Sequence, residues 1–302
     1  MLFSRKNKLK NALIIINPVA GKMRSQKALF HIVDYFCRHD YVLTVQTTRE
    51  KNDAKELVLE YATDKDLIVC AGGDGTLNEV ISGLMQLNAR PAVGYIPTGT
   101  TNDFASTLKI PKNIKPALKK IIAGTPFSLD IGKFGADRYF SYIASFGIFT
   151  ETSYTTPQSV KNLLGHFAYV LEGIREIAAL KTHTIAMNCD DQQIEGDFIF
   201  GAISNSKSIG GVLKLSDEKV SFSDGLFEIL LIRAPKNIAE LHSILSSIYT
   251  QKFDSPLVQF IQAKSISVTT EGRLAWSLDG ESAYSEGKVE VECQHNAISI
   301  ML

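Results

Sequence analysis

Apolar and polar positions along the chain keep one rhythm up to about residue 125 and another after it. In the first part, a continuous β-branched run at Ala12–Ile16 is followed by helical apolar spacing over 25–38, and Tyr41–Gln46 is again strand-like. Asp53–Tyr61 then reads as a helix, Leu67–Cys70 as a strand, Thr76–Leu87 as a helix and Ala92–Ile96 as a strand. A helix from Lys115 to Ala123, after the breaker Pro111 and ending at Gly124, closes this part, and Thr125-Pro126 is the expected hinge. Strand and helix in alternation predict a parallel sheet with helices on both faces, with ligands held where strands end and helices begin.

Beyond the hinge the pattern shortens. Segments 127–134, 138–147, 182–189, 193–201, 226–232, 257–262, 265–270, 273–278, 288–293 and 297–301 read as strands separated by Gly, Asp, Asn or Ser turns, which predicts an antiparallel sandwich or barrel. Two helices interrupt it, over 158–180 and 236–250. The first carries Val160, Leu163, Leu164, Phe167, Leu171, Ile174 and Ile177 on one stripe, which packs on the sheet or lines an apolar cleft. The expected organisation is thus an α/β lobe over 1–125 and a β-rich antiparallel lobe over 126–302.

Composition adds little except by exclusion. At 302 residues, 45% apolar and 21% charged, the chain is that of a globular protein of about two domains. Thirty-two basic residues balance thirty-two acidic ones, so no overall basic field points to nucleic acid. A local exception is SRKNKLK at 4–10, with four positive charges, which touches an anionic membrane surface or simply solvates a chain end. The apolar run after it is broken by Asn17 and Pro18, too short for a signal peptide, and no run reaches the roughly 20 residues of a membrane-spanning helix. A cytoplasmic protein in peripheral contact with lipid is expected. Cys37, Cys70, Cys189 and Cys293 are scattered, with no metal-ligand spacing, and read as reduced thiols.

The chemistry concentrates in Gly72-Gly73-Asp74-Gly75. A strand running through glycines into a helix offers main-chain N–H groups at a positive helix end, a natural cradle for phosphate. It is not a P-loop, because Gly21-Lys22 is followed by Met23 and Ile16 stands where the first glycine belongs. Nor is it a dinucleotide fingerprint, because Asn78 replaces the third glycine.

Together with AGGDGTLNEVISGL at 71–84, the stretches INPVAGK at 16–22, TT at 47–48, IPTGTTNDFA at 96–105, FGIFTE at 146–151, SDGLFE at 223–228 and LDGE at 278–281 closely resemble the soluble bacterial diacylglycerol kinases and related lipid kinases, among them the sphingosine kinases. The resemblance covers nearly the whole chain. It implies an N-terminal α/β lobe binding ATP with Mg²⁺, a β-rich C-terminal lobe, and a lipid hydroxyl that accepts the γ-phosphate. Asn17, Gly21, Thr48, Gly72, Gly73, Gly75, Thr76, Gly99 and Thr100 fall at or near predicted strand ends, where N–H and hydroxyl groups can converge on one triphosphate. Asn78 and Glu79 either join that set or orient the loop, and Asn102 and Asp103 either join it or cap a helix.

Phosphoryl transfer to an alcohol needs a carboxylate to take the hydroxyl proton. In the resemblance that base is Glu281, while Asp74 and Asp279 hold the active Mg²⁺ through water; Asp74 also resembles the catalytic aspartate of the sphingosine kinases. A second, structural Mg²⁺ is implied at Asp224 with the carbonyls of Ser221 and Leu226. Read without the resemblance, Asp279-Gly280 and Asp224-Gly225 are hairpin turns. Related kinases continue beyond the last strand with a segment returning to the first lobe, whereas this sequence stops at Leu302. The acceptor is diacylglycerol, ceramide, a sphingoid base or another lipid alcohol; a NAD kinase and a nucleotide-binding module without catalysis are the rival readings, and a homodimer is left open.

Overall fold

The computed structural model describes residues 9–21, 24–148, 180–205, 208–209, 213–214, 221–253 and 255–302. The basic end expected at 4–10 lies outside them except for Leu9 and Lys10, and the helix expected over 158–180 lies outside except for Leu180. The chain divides into two compact units, residues 1–129 with 296–302, and residues 130–295.

In the first unit, strands β1 (Lys10–Ile16), β2 (Tyr41–Thr47), β3 (Leu67–Gly72) and β4 (Ala92–Pro97) are all parallel, in the order β4-β3-β1-β2. Helices α1 (Arg24–Arg38), α2 (Asp53–Tyr61), α3 (Asp74–Leu84), α4 (Asp103–Thr107) and α5 (Ile114–Ala123) connect or follow them. Strand alternation explains the two-sided burial: Ala12, Ile14 and Ile16 pack into one cluster with Ile32, Phe36, Leu118 and Ile121, while Leu13 and Ile15 are equally buried on the opposite face. The strand expected over 297–301 falls in this unit. There Ile300 pairs in parallel with Val93, and Thr125 and Leu302 exchange main-chain hydrogen bonds of 3.0 and 3.2 Å.

The second unit is antiparallel and β-rich. Its strands include β5 (Pro126–Phe134), β6 (Arg138–Phe140), β7 (Ile143–Gly147), β8 (His183–Cys189) and β9 (Gln192–Ser204). After two two-residue strands, β10 (Ser208–Ile209) and β11 (Leu213–Lys214), come β12 (Phe227–Arg233), β13 (Val258–Ala263), β14 (Ser265–Leu278) and β15 (Glu281–Met301), the last ending in the first unit. Both β7 and β8 pair with β9 and with β14. Helix α6 (Ile238–Thr250) begins at Asn237, whose side chain accepts from Glu240 N, and buries Leu241, Ile244 and Ile248 against Phe200, Leu230 and Ile232. A separate cluster gathers Phe134, Phe140, Phe146, Phe227 and Trp276. Among the described residues, no helix is long and apolar enough to cross a membrane.

Several expected boundaries shift, and the strands expected over 288–293 and 297–301 are one strand, β15, that begins at Glu281. The strand expected over 138–147 breaks at Ser141-Tyr142. The two expected over 265–270 and 273–278 are one strand, whose register shifts between Thr269 and Arg273. The α3 helix begins at Asp74 rather than Thr76, so Asp74 sits in its first turn.

Candidate active site

Parallel register brings four loops of the first unit out of the sheet at one level. Ile16 is opposite Thr47 and Ala71, and Gly72 is opposite Pro97. Main-chain bonds continue the pairing past the strands: Thr48 N to Ile16 O at 2.9 Å, Asn17 N to Ala71 O at 2.9 Å, and Thr98 N to Gly72 O at 2.8 Å.

Glycine allows these loops to touch backbone to backbone. A Cβ on Gly99 would stand 2.6 Å from Gly73 Cα and 2.8 Å from Asn102 Oδ1. A Cβ on Gly21, whose φ is +50°, would stand 1.7 Å from Thr98 O. Side chains then bind the loops together. Asn17 Nδ2 donates to Thr76 Oγ1 at 3.1 Å, and its Oδ1 accepts from Val19 N at 3.1 Å. Asn102 Nδ2 donates to Gly99 O at 2.8 Å, and Tyr95 Oη, fully buried, lies 3.3 Å from Asn102 Oδ1 and 3.4 Å from Gly72 O.

The two acids of α3 have defined partners. Asp74 accepts Asp103 N at 2.9 Å and Phe104 N at 3.3 Å, so it caps α4 from a distance. Burial holds its carboxyl above the usual carboxylate range; the two N–H donors and the Lys112 charge pull it down, and the Asp103 charge pushes it up. Glu79 accepts Asn52 N at 2.9 Å and Ala54 N at 3.2 Å, which caps α2 and fixes the segment following Thr48. Of the remaining expected residues, Gly75 and Asn78 lie half-buried in α3, Thr48 is half-buried, and Thr100 is exposed.

At the α3 N-terminus the N-cap is Gly73, which has no side chain to cap the first N–H groups. Thr98 Oγ1, fully buried at the end of β4, has no hydrogen-bond partner among the described residues. Bare helix-end amides, glycine loops in contact and an orphaned hydroxyl suit a polyphosphate. Among the described residues no three His, Cys, Asp or Glu side chains group as a metal site. Mg²⁺ would therefore rest on one or two carboxylates, phosphate oxygens and water.

In the second unit, β14 and β15 form a hairpin closed at Leu278–Glu281, and its loop residues Asp279 and Gly280 have φ of +51° and +90°. Two positive φ values are those of a type I′ turn. Asp279 is 7% exposed, and its oxygens accept Ser141 N at 2.6 Å, Tyr142 N at 3.1 Å and Ile143 N at 3.0 Å, while its own N donates to Ile143 O. These are the N–H groups left unpaired where the β6–β7 strand breaks. A carboxylate has about four acceptor positions, and main-chain N–H groups take at least three of them here. Asp279 therefore serves first to dock the hairpin, with Glu281 half-buried at its base.

The Asp224 loop is likewise built around an acid that the sequence reading missed. Asp130, fully buried in β5, accepts Gly225 N at 2.7 Å and lies 3.0 Å from His295 Nδ1, while its main-chain N and O bond Phe222 O and Asn205 Nδ2. Asp224 is exposed and accepts Leu226 N at 3.1 Å; Ser221 Oγ accepts Ser223 N at 3.3 Å. Asn205 Oδ1 is buried with no partner among the described residues. This set of hard oxygens is of the type Mg²⁺ takes. An acid inside the apolar run Leu129-Asp130-Ile131 was the signal for Asp130, and a phenol inside Val93–Ile96 was that for Tyr95.

Comparison with known proteins agrees with the two-part fold. Residues 11–134 match the family described as diacylglycerol kinase catalytic domain, and residues 145–302 match the YegS C-terminal NAD kinase beta sandwich-like domain. A diacylglycerol kinase of Bacillus subtilis is 33% identical over 276 residues, covering 90% of each chain. One of Staphylococcus saprophyticus is 33% identical over 274 residues, covering 90% of this chain and 89% of its own. A crystal structure of a diacylglycerol kinase from Bacillus anthracis superposes with a TM-score of 0.73 at 25% identity, covering 98% of each chain. A second structure from that organism reaches 0.80 at 26%.

Proposed function

The chain belongs to the bacterial diacylglycerol kinase family of lipid kinases, and from that premise we propose that it transfers the γ-phosphate of ATP to the hydroxyl of diacylglycerol, giving phosphatidate. The observation that carries this reading is the contact of the Gly21, Gly73 and Gly99 loops at the α3 N-terminus, beside the unpartnered Thr98 hydroxyl. Such a crest of main-chain N–H groups holds an anionic chain of phosphates in fixed register without side-chain rearrangement.

ATP bound with Mg²⁺ supplies an electrophilic phosphorus with part of its charge neutralised. The residues of the chain do the rest. Main-chain N–H groups at Gly73, Gly75 and Thr76, with the Thr48 and Thr100 hydroxyls, hold the phosphates. Asn17, Asn78, Glu79 and Asn102 keep those loops in register, and Asp74, which caps α4, would help to hold Mg²⁺. Glu281 takes the proton from the lipid hydroxyl; Asp279 holds the turn that presents it. Asp224, with the Ser221 and Leu226 carbonyls, would hold a structural Mg²⁺. The reaction belongs at the inner face of a membrane, where the acceptor resides.

The test is to supply labelled ATP and Mg²⁺ with micellar diacylglycerol, ceramide and sphingosine, and separately with NAD, and to identify the product. Labelled phosphatidate is expected to dominate. A phosphorylated ceramide or sphingoid base would correct the acceptor, labelled NADP would replace the reading by NAD kinase activity, and nucleotide binding with no product would make the protein a regulatory module.

A further inference from the structure

The net charge of the sequence is zero, yet one surface segment is strongly one-sided. From Phe104 to Leu129 the chain holds five lysines, Lys109, Lys112, Lys115, Lys119 and Lys120, and no Asp or Glu. The apolar positions of α5 explain the display: Ala117, Leu118 and Ile121 are buried, which leaves Lys115 and Lys119, four residues apart, on the solvent side. Lys109 and Lys112 are exposed just before the helix, and Lys120 is half-buried.

Asp103 and Asp130 flank the segment in sequence, and Asp74 feels the Lys112 charge. Among the described residues Lys109, Lys115, Lys119 and Lys120 form no ion pair. The α1 helix, which shares a core cluster with α5, carries Asp34, but Arg38 already pairs with it at 2.8 Å. The neighbouring strand end at 296–302 has no charged side chain. The segment is also tied to the phosphate loop, since Lys112 Nζ donates to Thr101 O at 2.8 Å and its charge reaches Asp74.

We infer that Lys109–Lys120 is the surface by which the protein docks on an anionic phospholipid bilayer. The occupant is chosen by charge complementarity together with the lipid-kinase reading, on which this inference rests. A cluster of four to eight lysines on an amphipathic helix gains roughly fivefold in partition per lysine near a negatively charged leaflet, and loses it as salt screens the surface.

The test is flotation of the full chain with vesicles of phosphatidylcholine alone and of phosphatidylcholine mixed with phosphatidylglycerol, across a salt series. Binding should require phosphatidylglycerol and fall with salt. It should drop about 100-fold or more in the triple variant Lys109→Gln, Lys115→Gln, Lys119→Gln. Turnover of a dispersed short-chain diacylglycerol by that variant should stay at the wild-type level, which also reports that it is folded. A matched variant with Lys236, Lys252 and Lys264 changed to Gln should bind as the parent does.

Equal losses in both variants would overturn the inference in favour of diffuse charge. So would charge-independent vesicle binding, or an α5 variant that loses only retention on a single-stranded oligonucleotide. If the wild type phosphorylates no lipid yet the α5 variant alone loses vesicle binding, the docking surface stands and the proposed acceptor falls.

Discussion

The two units solve opposite problems with the same residue type. In the first, aspartate and glutamate side chains act as braces: Asp74 holds α4 and Glu79 holds α2, which leaves main-chain amides and hydroxyls as the groups proposed to hold phosphate. In the second, Asp279 is the brace, and its work leaves a different carboxylate, Glu281, two residues along the hairpin. A site made of amides needs its loops pressed together, and a site made of one acid needs its turn held still. On the proposed function the difference separates binding from proton transfer, and each should be breakable without the other.

The largest effect should come from Glu281→Gln. Removal of a positioned base costs about 10²–10⁴-fold in turnover, while nucleotide affinity, a property of the first unit, should be unchanged by calorimetric titration. Near-normal turnover would remove Glu281 from the mechanism. Gly99→Ala tests the other side. A methyl 2.6 Å from Gly73 Cα must separate the β3 and β4 loops, and a displacement near 1 Å costs about 10²-fold in efficiency. The loss should appear as weakened nucleotide binding. Gly272→Ala in the second unit, where no atom lies within 4 Å of the added methyl, is the control and should leave binding unchanged.

These contrasts also explain what was readable in the sequence. Buried parallel strands are continuous apolar runs, and three glycines after one of them have few other uses, so the first unit was legible nearly element by element. The antiparallel unit was less so. Gly272 and Gly287 look like strand breaks, but Gly272 lies within the register shift of β14 and Gly287, at φ +66°, lies within β15. Local composition does not separate a bulge from a turn, because both need the same backbone freedom. The braces were hidden for another reason. Asp74, Glu79 and Asp279 accept N–H groups from segments 25 to 138 residues away, and no spacing rule reaches that far. Asn102, weighed as a helix cap, makes no cap and ties Gly99 to Tyr95, because Asp74 already occupies the end of α4.

Asp279→Asn should have an intermediate effect and tests the brace directly. Asparagine accepts a positive φ and is favoured in a type I′ turn before glycine, so the hairpin itself should persist. One acceptor oxygen becomes a donor against main-chain N–H groups, and each buried N–H left unpaired costs about 1–3 kcal/mol. The expected result is a lowered denaturation midpoint, with turnover reduced about tenfold through a displaced Glu281, a smaller misplacement than one of 1 Å, and nucleotide affinity retained. Unchanged stability with a raised Mg²⁺ requirement would instead make Asp279 a metal ligand.

Glu79→Gln should have the smallest effect and the most specific one. The glutamate accepts at the N-terminus of α2, where the N-cap Asn52 has φ +72° and makes no side-chain cap. Asp53 accepts Arg49 N at 2.6 Å and Glu50 N at 3.2 Å, so the two acids together fix the path from Thr48 to α2. Glutamine keeps one acceptor and loses the charge at a helix end, a change of about 1 kcal/mol. If the brace served only the fold, the variant would unfold at a lower denaturant concentration with both kinetic constants intact. Because it ends at Thr48, whose N is bonded to Ile16 O at the loop crest, KM for ATP should rise several-fold, as expected for about 1 kcal/mol, with kcat and KM for the lipid unchanged. An altered kcat with KM for ATP held constant would place Glu79 outside the nucleotide loops and reduce the difference between the two units to one of composition.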